Sequence, residues 1–348
     1  MQGEIRSHTG MRGVAALLVV AYHQQFTHGY RLPFETATLL FKRCYLMVDL
    51  FFILSGFVLS YVYRDRLNVS SFWRARFARI YPLHVFALLC LTGWTLIVWV
   101  LMVSTGHDAP DLGPFSAWLR QLLLLNAWFY SEAGWNIPSW SISAEAFAYI
   151  LFPALVAIVT RQLIQIAVAV LICAFYALIG PSLDIIAGLA PFRCLAGFSL
   201  GMLLFQYREI KIPGLSFWQV AAAALTLLAL AFRVYDSLIV LPFAALVLLT
   251  WRDEGIVARL LSARPLHWLG EISYSVYLMH FTISAAFSFV WLRIDTHVPI
   301  YPPLSRALFL CIVFGSVIAV SHLTYKYVER PCQDALRRGK RIPAVAAP

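Results

Sequence analysis

Charge is what this chain has least of. Asp, Glu, Lys and Arg make up 13% of its 348 residues, about half of the roughly 25% found in soluble globular domains. With 61% hydrophobic residues and a mean hydropathy of +0.76, too little polar surface is left to keep such a fold in water, and a soluble enzyme is excluded. Metal-binding spacing is also missing. The six cysteines (Cys44, Cys90, Cys173, Cys194, Cys311 and Cys332) are scattered, mostly in apolar runs, with no CxxC or Cys/His pattern; no metal is expected. No GxSxG elbow surrounds Ser55, which argues against a serine nucleophile there. With Gly56 it reads as a small-residue helix contact. No internal repeat, low-complexity tract or soluble domain stands out. No small-residue cleavage site follows a short apolar core near the N-terminus, so the first apolar stretch is expected to stay as an anchor. The formal net charge is +10, yet no basic helix is interleaved with aromatics. Nucleic acid is therefore not an expected partner, and the surplus reads as loop bias toward anionic lipid headgroups.

What the chain has in abundance is apolar runs near spanning length, about 20 residues. Ten are predicted: Met11–Phe26, Cys44–Tyr63, Ile80–Val103, Trp140–Thr160, Leu163–Ile179, Ile185–Phe205, Leu215–Phe232, Ser237–Trp251, Ile272–Trp291 and Leu308–Tyr327. Pro242 is expected to kink the eighth, where neighbouring helices can resatisfy the backbone. With the N-terminus cytoplasmic, nineteen of the 27 Lys and Arg residues fall on inside segments, which is the usual bias. The expectation is an all-α integral membrane protein: a bundle of about ten transmembrane helices, both termini cytoplasmic, a multi-pass protein of the inner (cytoplasmic) membrane. One membrane domain covers 1–348, with a short basic tail from about 328. Phe115–Phe129, broken by Arg120 and Asn126, reads as an interfacial or re-entrant helix on the outer side. The stretch SSFWRARFARIYP reads as a cytoplasmic loop before the third span.

Ionisable groups placed inside such spans cost a few kcal/mol or more near the centre, so each calls for a reason. Arg12 and His23 stand eleven positions apart in the first span, with Tyr22 the one other ionisable side chain between them. Eleven helical steps cover roughly 16 Å and about three turns. Arg12 is then near one face, His23 lies around or beyond the middle, and both can look into one interior. Asp49, Glu145, Arg193 and His280 come to similar depth on four other spans and could pair with one another or with His23. A carboxylate beside an imidazole orients the ring and raises its basicity, as a general base requires. Arg74, Arg76 and Arg79 present guanidinium forks suited to phosphate, so a phosphorylated donor such as coenzyme A would dock there. The bland alternatives are interhelical polar contacts for the embedded groups and positive-inside anchoring for the loop.

Several ordered stretches resemble the acyltransferase family 3 membrane proteins. They are MRGVAALLVVAYH (from Met11), VDLFFILSGFVLS (from Val48), FWRARFARIYPLH (from Phe72), WSISAEAFAYILFP (from Trp140), PFRCLAGFSLG (from Pro191), ISYSVYLMHF (from Ile272) and YVERP (from Tyr327). The resemblance runs the length of the chain. It implies transfer of an acyl group, commonly acetyl from acetyl-CoA, to a hydroxyl of a glycan, glycolipid or natural-product glycoside. It implies that His23 is the catalytic group and that Arg12 holds or orients the donor. It gives Arg76 and Arg79 to the donor's phosphates and marks Glu145 and His280 as further polar positions. The chain resembles the stand-alone type of the family, without a soluble C-terminal domain.

The expected mechanism has acyl-CoA entering from the cytoplasm against Arg12, Arg76 and Arg79. His23, oriented by Asp49 or Glu145, deprotonates an acceptor hydroxyl arriving from outside, with Trp140, Arg193 and His280 on the acceptor side. Arg193 or a backbone N–H could meet the oxyanion. A variant passes the acyl group through His23 itself. The alternative class is a proton-coupled transporter or flippase of a lipid-linked or small substrate, which ten spans with embedded ionisable groups would also suit.

Overall fold

The computed structural model of the chain describes residues 4–26, 40–128, 135–159, 161–232, 234–297 and 302–337. Among them there is no strand. In chain order the helices are α1 (Arg6–Phe26), α2 (Met47–Tyr63), α3 (Val69–Ser104), α4 (Phe115–Leu122), α5 (Ser139–Ile158), α6 (Gln162–Leu178) and α7 (Ala190–Gln206). They continue as α8 (Leu215–Ala231), α9 (Asp236–Thr250), α10 (Ile256–Leu261), α11 (Arg264–Glu271), α12 (Ser273–His297), α13 (Pro302–Thr324) and α14 (Arg330–Arg337). A π turn, Tyr325–Glu329, joins the last two. Cys44–Tyr63, Val69–Ser104, Ser139–Ile158 and Ala307–Arg337 are long and apolar enough to cross a membrane by length and composition. Helical backbone satisfies its own polar groups, which is what hydrocarbon demands. Side chains on α6 point the same way: of its residues only Ile172 is buried, while Leu163 and Leu178 are 82% and 87% exposed. Such a surface would be costly in water and costs nothing against lipid.

Close approaches fix the helices that carry the site. A Cβ on Gly56 of α2 would fall 1.9 Å from the Phe198 carbonyl oxygen of α7, and one on Gly201 of α7 would fall 2.0 Å from that of Ile53. Only glycine lets these backbones touch, and the contact sets α2 and α7 side by side. Ser55, beside that seam, turns its hydroxyl to Glu145 on α5. The helix of His23 is held at its other end. Asp253, from the turn after α9, accepts from the Arg6 and Ser7 backbone N–H groups at 3.1 and 2.7 Å, capping α1 from a distance.

One expectation about local structure is corrected. The arginine-rich stretch before the third span is not a loop. Asn68 caps it, accepting from the Ser71 N–H at 3.0 Å, and α3 runs unbroken from Val69 through Pro82 to Ser104. Phe72, Ala75, Arg76 and Arg79 follow helical spacing and are all buried on one face. The basic tail expected from about 328 is also helical as far as Arg337, which folds α14 back against α3. The ambiguous outer segment forms only the short α4, and buried Gln121 holds it: its Oε1 accepts from the Trp135 and Asn136 N–H groups, and its amide donates to Ser139 Oγ at 2.8 Å. Residue 129, the end of that segment, lies outside the described residues.

Candidate active site

Two imidazoles meet at one end of the site. His23 on α1 and His280 on α12 are both buried, with ring centroids 4.9 Å apart. His280 Nδ1 lies 3.2 Å from the Val276 carbonyl oxygen, and His23 Nδ1 lies 3.0 Å from that of Val19. A carbonyl can only accept, so both Nδ1 atoms carry hydrogen. His280 Nε2, 3.2 Å from His23 Nδ1, is then an acceptor sharing the His23 N–H with Val19. This leaves the lone pair of His23 on Nε2, the arrangement of a base oriented through its other nitrogen. One residue further along α1, the buried Gln24 amide donates to the Ser284 hydroxyl of α12. The same two helices are thus tied at a second point.

Asp49 does not serve as the carboxylate that orients His23. Arg193 donates from Nε and Nη2 to the two Asp49 oxygens at 3.0 and 2.6 Å, and both side chains are 0% exposed. The Arg193 guanidinium also lies 5.1 Å over the Trp140 ring. Asp49, Arg193 and Trp140, expected to serve the base or the acceptor, are instead bonded to one another in a sealed cluster. The α2–α7 seam explains why: it places Asp49 on the face toward α7. Glu145 accepts from the Ser55 and Tyr149 hydroxyls at 2.5 and 2.7 Å. Nearer the imidazoles, the Ser141 and Tyr277 hydroxyls are 2.8 Å apart and the Tyr277 ring lies 6.1 Å from that of His280. Hydroxyls and one carboxylate therefore follow the interior between the two ends of the site.

The other end is basic. Arg76 is 4% exposed and lies over the rings of Tyr63 and Tyr149 at 5.8 and 5.9 Å. Its Nε–H has no hydrogen-bond partner and no carboxylate is paired with it among the described residues. Arg79 donates to Glu329 Oε1 at 2.5 Å and lies 5.4 Å over Tyr274. The second oxygen of Glu329 accepts from Ser275 at 2.7 Å, and Gln333 donates to the first at 3.2 Å. Arg12 lies within electrostatic reach of Arg79, Glu329 and Glu4. Arg337 lies within reach of Arg76, Arg79 and Asp334. An anionic ligand would suit this end, where Arg76 is met by the Tyr63 and Tyr149 hydroxyls and not by a carboxylate. Glu329 and Arg337 were not singled out in the sequence. The first stands inside the quoted YVERP motif, but the second sits in a tail that read as a charge run.

A family model described as Acyltransferase domain matches residues 6–326, and the chain belongs to that family, the family 3 acyltransferases. Its relatives include Acyltransferase MdmB of Streptomyces mycarofaciens, to which it is similar with 31% identity across 98% of this chain and 94% of the relative. Peptidoglycan O-acetyltransferase OatA of Listeria monocytogenes is 20% identical across 94% of this chain and 55% of the relative. O-acetyltransferase OatA of Staphylococcus aureus is 20% identical across 92% of this chain and 56% of the relative. No solved structure matches the chain. The protein is a membrane acyltransferase, and that membership replaces the transporter alternative.

Proposed function

We propose that the chain is a multi-pass protein of the cytoplasmic membrane, with about ten spans and both termini inside. It moves an acyl group, acetyl by default, from acyl-CoA on the cytoplasmic side to a hydroxyl of a glycan, glycolipid or glycoside at the outer face. The observation that carries this reading is the seat of His23 Nδ1, 3.0 Å from the Val19 carbonyl and 3.2 Å from His280 Nε2; the carbonyl calls for hydrogen on Nδ1, which leaves the lone pair of His23 on Nε2. His23 Nε2 takes the proton of the acceptor hydroxyl as the alcohol oxygen bonds to the acyl carbon. The imidazolium then gives that proton to the sulfur as the C–S bond breaks, and His23 ends neutral. His280 stays an acceptor throughout and is a positioning residue. Acyl-CoA supplies an activated acyl carbon and, through its phosphates, an anionic handle. Arg76, Arg79, Arg12 and Arg337 would hold that handle. The hydroxyls of Tyr149, Ser55, Ser141 and Tyr277 would line the way from there to His23.

The test is release of coenzyme A thiol by the purified full chain with acetyl-CoA, water standing in for the acceptor alcohol and taking the acetyl group as acetate. His23→Ala is expected to lower kcat by about 10²–10⁴-fold, the usual contribution of a general base. His280→Ala is expected to lower kcat roughly tenfold with KM little changed, because an orienting group acts on the transition state. Undiminished thiol release by His23→Ala would overturn the reading.

A further inference from the structure

A cavity of about 690 Å³ opens between α3, α12 and the segment leading into α4. Trp94, Trp135, Phe281 and Phe289 give it four aromatic walls, Thr95 adds a hydroxyl, and Asp111 is the one ionisable lining residue among those described. The Trp94 and Phe289 rings stand edge to face at 5.7 Å, so one wall is already braced. Phe281 belongs to two places at once. It lines the cavity, and its ring stands perpendicular to that of His23 with 6.3 Å between centroids. The cavity therefore begins one ring away from the base.

We infer that this cavity is the acceptor site and that it takes an uncharged glycoside bearing an apolar face. The inference rests on the function proposed above, which puts this end of α3 and α12 on the outer side, and it names the acceptor class for that reaction. Size allows it, since pockets of roughly 300–1,000 Å³ hold drug-sized ligands. Aromatic walls meet the C–H face of a sugar ring or an apolar aglycone and leave its hydroxyls for polar partners. Charge decides the class. The Asp111 carboxylate at the rim accepts one hydrogen bond from the Gly113 N–H at 2.9 Å, and among the described residues no cation lines the cavity with it. A uronate or phosphorylated sugar would face like charge there, which costs affinity. The basic cluster that favours anions lies instead around Arg76, at the donor end.

Saturation-transfer NMR on the purified full chain, without coenzyme A, tests this with two probes that differ in one carboxylate. Phenyl β-glucopyranoside is expected to receive saturation on both its ring systems. Phenyl β-glucuronide is expected to bind about threefold more weakly, the scale of one like-charge contact at an exposed position. Asp111→Asn, at an exposed position that burdens no core, should raise glucuronide binding toward the neutral probe. Ala285→Phe, which fills the cavity from α12, should abolish both signals. Equal binding of the two probes, a neutral signal that survives Ala285→Phe, or no neutral signal at all would overturn the inference. So would saturation confined to the aglycone, which would make the cavity a seat for an apolar chain. None of these outcomes touches the thiol-release test of His23, so the two readings fail separately.

Discussion

Among the described residues, the arginine–carboxylate pairs Arg193–Asp49 and Arg79–Glu329 have both partners buried, and their surroundings set them apart. Arg193 and Asp49 meet through two bonds at 0% exposure, with Asp184 a further carboxylate in reach of Arg193 and Trp140 as a lid. Arg79 and Glu329 also bond directly, but Arg12, Arg76 and Arg337 crowd the same corner. The first pair is closed in space, and its cation is matched. The second sits in a field of surplus cations, and Arg76 faces aromatic rings where a carboxylate would balance it. A balanced pair needs nothing more and reads as architecture. A cluster with cations in excess favours an anion, and suits the donor end of the function proposed above.

The sharpest way to break the comparison is to unbalance the balanced pair. Asp49→Asn leaves the Arg193 charge buried without its bonded counter-ion, and losing one partner of such a pair costs about 3–5 kcal/mol. The variant is expected to lose thermal stability in detergent sharply. The double variant Asp49→Leu with Arg193→Met should recover most of it, because an apolar replacement removes the desolvation cost of both ions. If the single variant keeps wild-type stability, the pair is not architecture.

How far this division was legible in the chain depends on what spacing can carry. Embedded ionisable residues in apolar runs single out His23, His280, Glu145, Arg193 and Asp49, and spacing says nothing of which of them meet. His23 and Asp49 look equivalent by depth, yet Gly56 and Gly201 seat α2 on α7, which delivers Asp49 to Arg193 and leaves His23 to His280. The arginine-rich stretch looked like a loop because three arginines in thirteen residues set it off from the apolar run that follows. Its apolar and arginine residues nevertheless recur at helical spacing behind an Asn68 cap. Glu329 and Arg337 escaped notice because the final turns, including a π turn at Tyr325–Glu329, bring them back against α3 only in three dimensions.

At the surplus end the expected effects are on the donor. Arg76→Ala removes the guanidinium that has an unmatched Nε–H. The KM for acyl-CoA is expected to rise about tenfold or more, as a charge-assisted hydrogen bond contributes roughly 1.5–3 kcal/mol. Arg337→Ala should raise it less, since Arg337 is farther into solvent and shares its corner with Asp334. Both effects should shrink as salt rises. Unchanged KM in both variants would remove this corner from the donor site.

The finest test adjusts the balance without removing a cation. Glu329→Gln keeps an acceptor for Ser275 and a neighbour for Gln333, but releases Arg79 from its carboxylate. One negative charge fewer beside an anion site favours the anion, so the KM for acyl-CoA should fall, by roughly threefold for a single charge in a partly solvated corner. The stability cost should be smaller than for Asp49→Asn, because the uncovered guanidinium can be met by the incoming phosphate. The sign carries the comparison. Neutralising a carboxylate hurts where charges are already matched and helps binding where cations are in excess. A KM that rises in Glu329→Gln would mean that Arg79 needs Glu329 to hold its geometry, and that the two buried pairs are of one kind.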